Sequence, residues 1–551
     1  MRTRGKIDLL VQDTDFAEHT PAVYVTIVEK KKGLIMMETT SRIGIIDIGS
    51  NSVRLVIYEV SGKDAYRVID ESKESARLSE KIRQDGSLKP EDAMGIVHIL
   101  NHFKTLCQAH HTDKIRAVAT AAIRNASNSA EIVGILKEET GIEVEILSGE
   151  MEARYGFLGM INSMDIQDGL LIDIGGGSTE VSLFLGRSLI HSVSFPFGSV
   201  NTTKRFTKDG VADADTAAKI RHMVLAALEK EPWIKGHQGL PLIGLGGTIR
   251  TLGKLDQRAR RYSLPLAHQY QMEKGTVEQL LAMLSTMPPE KRKKVDGMTG
   301  SRADIIVPGM LILQTVFDYS GASHYMVSGS GLRDGLFYDV LNPGQAQFTN
   351  VLEHSVRNLL ALHPSVSLLH VEQVNRLALK LFDDLQDLHH LSIRSRAYLH
   401  VASLLYRIGI TVFYYDYPKH TFYLIAHSRL YGLTHREVLI CAMIASYKNK
   451  NRTRQLFLEH KDILTESDCL LVERLGSLLQ LAVALDRSET QPVRRLTAIA
   501  RTSGIRLQLE CTHYPGIEIR ETGAITKEFK KVWSLVPEIQ TTPDFSTPQR
   551  S

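Results

Sequence analysis

The sequence is poor in cysteine. Its 551 residues include four, Cys107, Cys441, Cys469 and Cys511, widely spaced and never as C-x-x-C. That argues against a disulfide framework or a zinc knuckle and fits a reducing compartment, so a cytoplasmic location is expected. Charge of one sign is also missing. Lys and Arg total 66 against 62 Asp and Glu, a net +4, too small an excess over this length to imply a nucleic-acid partner. No apolar run reaches the roughly 18 residues of a membrane span. The longest, from Ile305 to Phe317, contains Pro308, Gly309, Gln314 and Thr315, and predicts a buried core helix starting near Pro308. Neither nucleic acid nor membrane is therefore an expected partner. Hydrophobic residues at 43% and charged residues at 23% are ordinary globular values, which exclude a disordered, collagenous or fibrous chain.

A repeated unit is what the chain does have. Ile45-Ile46-Asp47-Ile48-Gly49-Ser50-Asn51-Ser52-Val53-Arg54-Leu55 resembles Leu171-Ile172-Asp173-Ile174-Gly175-Gly176-Gly177-Ser178-Thr179-Glu180-Val181. Each copy reads as an apolar strand, an Asp, a turn of small residues and a second strand. Two copies predict two related lobes. Such turns expose several backbone N–H groups to anionic oxygens, and the hydroxyls of Ser50, Ser52, Ser178 and Thr179 add donors. A carboxylate beside a phosphate repels it unless a cation bridges them, so Asp47 and Asp173 predict Mg²⁺. A third turn, Gly246-Gly247-Thr248, follows the apolar Leu242 to Leu245 and opens a helix, another anion site.

Two further segments carry candidate groups. Ser148-Gly149-Glu150-Met151-Glu152 reads as a capped helix start. Glu150 and Glu152 there are either site acids or acids favoured by the helix dipole, and spacing alone leaves Glu152 open. Arg124, ending the Ala117 to Asn125 segment, is either a bidentate phosphate clamp or a surface residue. Glu180 faces either the metal site or solvent. The basic run Lys291-Arg292-Lys293-Lys294, after Pro288-Pro289, reads as a solvated loop.

These blocks, in order, resemble the exopolyphosphatase/guanosine pentaphosphate phosphohydrolase (Ppx/GppA) family. Ser328-Gly329-Ser330-Gly331-Leu332-Arg333-Asp334-Gly335 adds a further block. The resemblance covers about residues 42–342. It implies an α/β fold with a duplicated RNase H-like core of the actin/hexokinase/Hsp70 type. It implies Glu152 as the catalytic base that activates water, Asp173 and Glu180 as metal-associated acids, Asp47 as the first hairpin's acid and Arg124 as a phosphate-binding arginine. Ser50, Asn51, Ser52, Gly175, Gly176, Gly177, Ser178, Thr179, Gly246, Gly247 and Thr248 are the expected phosphate-binding positions. The implied cofactor is Mg²⁺ or Mn²⁺. The implied activity is release of orthophosphate from inorganic polyphosphate, with guanosine pentaphosphate as the rival substrate. A kinase on this fold and a catalytically dead sensor are the readings of other classes.

The expected domains are an N-terminal extension at 1–41, lobes at 42–155 and 156–342, a helical HD-like region at 343–495 and a small α/β cap at 496–551. Met36 and Met37 mark a second candidate start. The helical region resembles HD-type domains, but Tyr406-Arg407 stands where His-Asp would, so loss of metal catalysis there is expected. A homodimer is implied by long family members.

Overall fold

The computed structural model describes residues 40–62, 65–208 and 210–542. The expected N-terminal extension and second start lie outside the described residues. The first sheet contains β1 (Ser41–Ile48), β2 (Ser52–Val60), β3 (Tyr66–Ser75), β4 (Lys114–Ala119) and β5 (Val144–Ile146), in the order β3-β2-β1-β4-β5. The second contains β6 (Gly169–Ile174), β7 (Thr179–Leu185), β8 (Ser188–Phe195), β9 (Leu242–Leu245), β10 (Gln271–Met272) and β11 (Tyr325–Val327), in the order β10-β11-β9-β6-β7-β8. Set side by side, β6, β7, β8, β9 and β11 repeat β1 to β5 in order and direction.

The duplication extends to single atoms. Gly49 N–H donates to the Ser52 carbonyl at 3.2 Å, and Gly175 N–H donates to the Ser178 carbonyl at 3.0 Å. Asp47 pairs across the hairpin with Arg54, and Asp173 pairs with Glu180. The repeat thus keeps the aspartate and changes the residue opposite it from a cation to an anion.

Strand interiors explain why these segments pair. Ile45, Ile46 and Ile48 of β1 are fully buried, because both faces of the sheet are covered, and such strands read as continuous apolar runs. The apolar stretch near Pro308 is a helix over Ile306–Ser320, buried almost throughout. Two helices, Gly149–Ile161 and Leu332–Leu341, cross with backbones touching. A Cβ at Gly159 would lie 2.1 Å from the Gly331 carbonyl oxygen, and one at Gly335 would lie 2.0 Å from that of Tyr155. Only glycine allows this approach.

The rest is mainly helical. Helices Leu368–Asp384, Ile393–Leu405, His435–Ala445 and Glu466–Ala484 share one core with β12 (Val493–Ala500) and β13 (Ile505–Cys511). The expected boundary at 495/496 falls inside β12, and the boundary at 155/156 falls inside helix Gly149–Ile161. Within the expected α/β cap, Gly516 to Arg520 alternates apolar and polar residues as a strand would, yet it opens the helix Gly516–Trp533. Its buried residues Glu518, Thr522, Phe529 and Trp533 lie on a helical stripe, whereas Ile517 and Ile519, which made the alternation, face solvent. β14 (Pro537–Thr542) closes this sheet beside β13. Among the described residues, no helix is long and apolar enough to cross a membrane.

Candidate active site

The two hairpin turns meet face to face between the lobes. A Cβ on Gly177 would lie 2.9 Å from Ser50 Oγ, and one on Gly176 would lie 3.0 Å from Ser50 Cβ. Between them and the Gly246-Gly247 turn lies a cavity of about 130 Å³. Its walls include Asp47, Ser50, Asn51, Ser52, Glu152, Asp173, Gly175, Gly176, Ser178, Gly246 and Gly247. Each aspartate sits one residue before its strand's end, which sets its carboxylate at the mouth of the turn.

Glu152 arrives on a helix whose N-cap is Ser148, the Ser148 hydroxyl accepting the Met151 N–H at 3.1 Å. Burial pushes the Glu152 carboxyl up to about 7, and Asp173 and Asp47 add to the rise. The Arg124 guanidinium opposes it, donating from Nη1 to Glu152 Oε2 at 2.8 Å and to the Leu147 carbonyl at 2.9 Å. Burial also raises Asp47 and Asp173 above the usual carboxylate range, and Glu180 well above it.

Other expected site residues stand back from the cavity wall. Arg124 lines no part of it and is engaged with Glu152. Glu180 is buried behind, accepting from Ser194 Oγ at 2.7 Å. Thr179 Oγ1 donates to the Phe197 carbonyl at 2.6 Å, so its hydroxyl is committed. Thr248 is buried against Gly309, and its hydroxyl has no hydrogen-bond partner among the described residues. Gly177 faces Ser50 and Ser79 across the turns.

Four arginines that the motifs did not single out complete the cavity: Arg54, Arg250, Arg302 and Arg333. They continue, with Lys73 and Lys254, along an adjoining space of about 360 Å³. Among the described residues none of the four arginines or Lys73 is ion-paired. Burial and mutual repulsion press Arg250 and Arg302 down to about 10, and Lys73 and Arg54 downward as well. Arg302 lies directly on Gly247, where a Cβ would come within 1.8 Å of its Cζ. Arg292, expected in a solvated loop, is fully buried. It donates to the carbonyls of Leu284, Gly210 and Ala303, holding the segment that carries Arg302.

Divalent metal is implied by the acids rather than displayed by a cage. Among the described residues no three His, Cys, Asp or Glu side chains converge on one point. The donor chemistry still fits Mg²⁺, which takes one or two carboxylates and completes its shell with water and phosphate oxygens. In the helical region, His370 is occupied on both ring nitrogens, by Asp486 at 2.7 Å on Nδ1 and by Tyr406 on Nε2. Tyr406 fills the place of the expected ligand with a phenol.

A duplicated two-lobe α/β core with facing anion turns, a raised glutamate and clustered arginines defines a phosphatase of the actin-like fold. The family models agree. Residues 55–343 match the Ppx/GppA phosphatase family, and residues 351–515 match Ppx/GppA phosphatase, domain III. The chain belongs to the Ppx/GppA phosphatase family and is a hydrolase of that kind. It is similar to the crystal structure of an exopolyphosphatase from Cytophaga hutchinsonii, with 24% identity over 56% of this chain and 100% of that one, at a TM-score of 0.51. The Aquifex aeolicus family member shares 29% identity over 56% of this chain and 99% of that one, at a TM-score of 0.48.

Proposed function

We propose that this chain removes the terminal phosphate of inorganic polyphosphate and releases orthophosphate. The observation that carries this reading is the row of unpaired cations. One terminal phosphate needs few positive charges, whereas Arg54, Lys73, Arg250, Lys254, Arg302 and Arg333 extend past the cavity along the adjoining space. Such a row suits a chain that carries charge at every unit.

The residues divide the work. Ser50, Asn51, Ser52 and Ser178, with the backbone N–H groups of both turns, hold the terminal phosphate oxygens. The arginines neutralise charge on the transferring group, since phosphoryl transfer depends mainly on positioning and electrostatics. The Glu152 carboxylate takes a proton from water. The water oxygen forms a bond to the terminal phosphorus, and the bridging P–O bond breaks toward the shortened chain. Arg124 orients Glu152 and keeps its carboxylate available. Asp47 and Asp173 would hold Mg²⁺, which when bound offsets charge on the phosphate oxygens. Glu180 supports that pair from behind.

A second observation favours guanosine pentaphosphate. A space of about 1020 Å³ adjoins the cavity at Arg333 and Arg250, and Leu266, Leu359, Leu430 and Tyr431 line it beside Arg429. Its mixed lining, apolar and aromatic side chains interspersed with polar ones, offers a nucleoside surfaces for stacking and hydrogen bonding that a plain polyanion does not use.

Phosphate release by the purified full-length protein with Mg²⁺, from long-chain polyphosphate and from guanosine pentaphosphate in parallel, separates these readings. Release from polyphosphate, cut at least about a hundredfold in Glu152→Gln, is expected. Release from the nucleotide alone transfers the assignment to the second reading. Release from neither by folded protein sinks both.

A further inference from the structure

The cavity is walled on one side by the segment Gly329–Asp334, which places Arg333 among all three adjoining spaces. Arg333 stands in the first turn of the helix Leu332–Leu341, and the residues Gly329 to Gly331 lead into it. The groups that hold this lead-in start in the second lobe and end in the helical region. Gly329 N–H donates to His268 Nδ1 at 3.0 Å, and His268 Nε2–H donates to the Ser163 carbonyl at 3.1 Å. The His268 carbonyl in turn accepts from His435 Nε2–H at 2.7 Å, and His435 Nδ1 accepts from the Tyr262 hydroxyl at 3.0 Å. His435 opens the helix His435–Ala445, so it belongs to the helical region. A second support comes from the loop just before that helix. Ser330 Oγ donates to the Tyr431 hydroxyl at 3.4 Å, and the Tyr431 ring stands edge-on to His268 with centroids 5.4 Å apart.

The geometry points to His435 as a positioning residue of the phosphate site. It acts through His268 and Gly329 to set Arg333, with Tyr431 bracing Ser330. The helical region is thereby part of the binding machinery of the lobes. His435 is buried, His268 is half-buried, and their four ring nitrogens are all engaged, so the relay stays neutral and keeps one tautomer. It serves as a fixed strut, with no part in moving protons. The inference rests on reading the cavity as the phosphate site, and it holds for either substrate, because both end in a triphosphate.

The test uses full-length Glu152→Gln protein and titrates binding of inorganic tripolyphosphate. His435→Leu, Arg333→Ala and the double variant form a cycle. His435→Leu is expected to weaken binding about tenfold with Arg333 present and by under about twofold once Arg333 is gone, because residues that act through one another are non-additive. His435→Gln, which keeps a donor for the His268 carbonyl, is expected to recover most of the affinity. Equal losses in both backgrounds overturn the proposal, since a general loss of stability costs the same with or without Arg333. If His435→Leu does not fold, Tyr431→Phe, which removes the hydroxyl facing Ser330, is run through the same cycle and judged by the same criterion. No binding of tripolyphosphate by the Glu152→Gln parent overturns it together with the phosphate-site reading. Phosphate release by the unsubstituted protein, measured alongside, shows whether a failed cycle sinks the strut alone.

Discussion

Arg124 stands behind the cavity wall and is ion-paired with Glu152, and the effect of that pair is open to measurement through pH. In the role proposed for Glu152, water activation needs the ionised carboxylate, which burial above all raises to about 7. The rate constant kcat is therefore expected to fall about tenfold per pH unit below that point. Arg124 lowers the Glu152 pKa, so Arg124→Met is expected to shift the acid limb upward in pH and to leave the plateau at alkaline pH largely intact. An unmoved limb in a pH–rate profile would show that the ion pair does not govern the base. The Ser148 cap put Glu150 and Glu152 together in a helix's first turn and left both open, and the family resemblance singled out Glu152. The sequence did not reveal that Arg124 serves Glu152. That pairing depends on β4 and β5 lying side by side and parallel, so that Arg124 after one strand meets Glu152 after the other, a tertiary relation that spacing does not encode.

At the scale of elements, the duplicated hairpins were legible because an Asp followed by small residues between two apolar strands is a local pattern. The cations were not legible. Arg54 lies on β2, Lys73 on β3, Arg250 on helix Gly246–Ala259 and Arg302 in a short turn, each in a separate segment, and only the fold brings them together. Arg292 was misread for the same reason. Its neighbours Lys291, Lys293 and Lys294 make a basic run, and only the fold turns one member inward onto three carbonyls. Glycines at element junctions separate binding from stability. Gly247→Ala pushes on the movable end of Arg302, so a raised KM with an almost unchanged Tm is expected. Gly335→Ala instead drives a Cβ into the Tyr155 carbonyl, where neither helix can yield, and is expected to cost about 1–3 kcal/mol or more in a denaturation curve. The two substitutions look alike in sequence, and comparing thermal melts with steady-state kinetics tells them apart.

For the whole molecule, charge is concentrated although the chain is nearly neutral. A net +4 spread over 551 residues attracts little, but several unpaired cations share one cavity. Salt screens such a field over about 8 Å at physiological ionic strength. Raising KCl from about 0.05 M to about 0.5 M is expected to lower kcat/KM roughly tenfold, chiefly through KM. A flat salt profile in initial-rate assays would remove the cations from substrate capture. The three-body arrangement also escaped the sequence reading. The sequence marked 343–495 as a helical region, and only the packing of His435 and Tyr431 against the lobes shows what it supports.

Those cations are shared between the lobes, Arg54 and Lys73 on one and Arg250, Arg302 and Arg333 on the other. Without an anion, like charges face each other across the gap and push it apart, like a compressed spring. Under the proposed function, a long polyanion would offset that repulsion on both lobes at once. A single orthophosphate would offset less of it, so the fragment cut from the chain would be held less tightly than the chain itself.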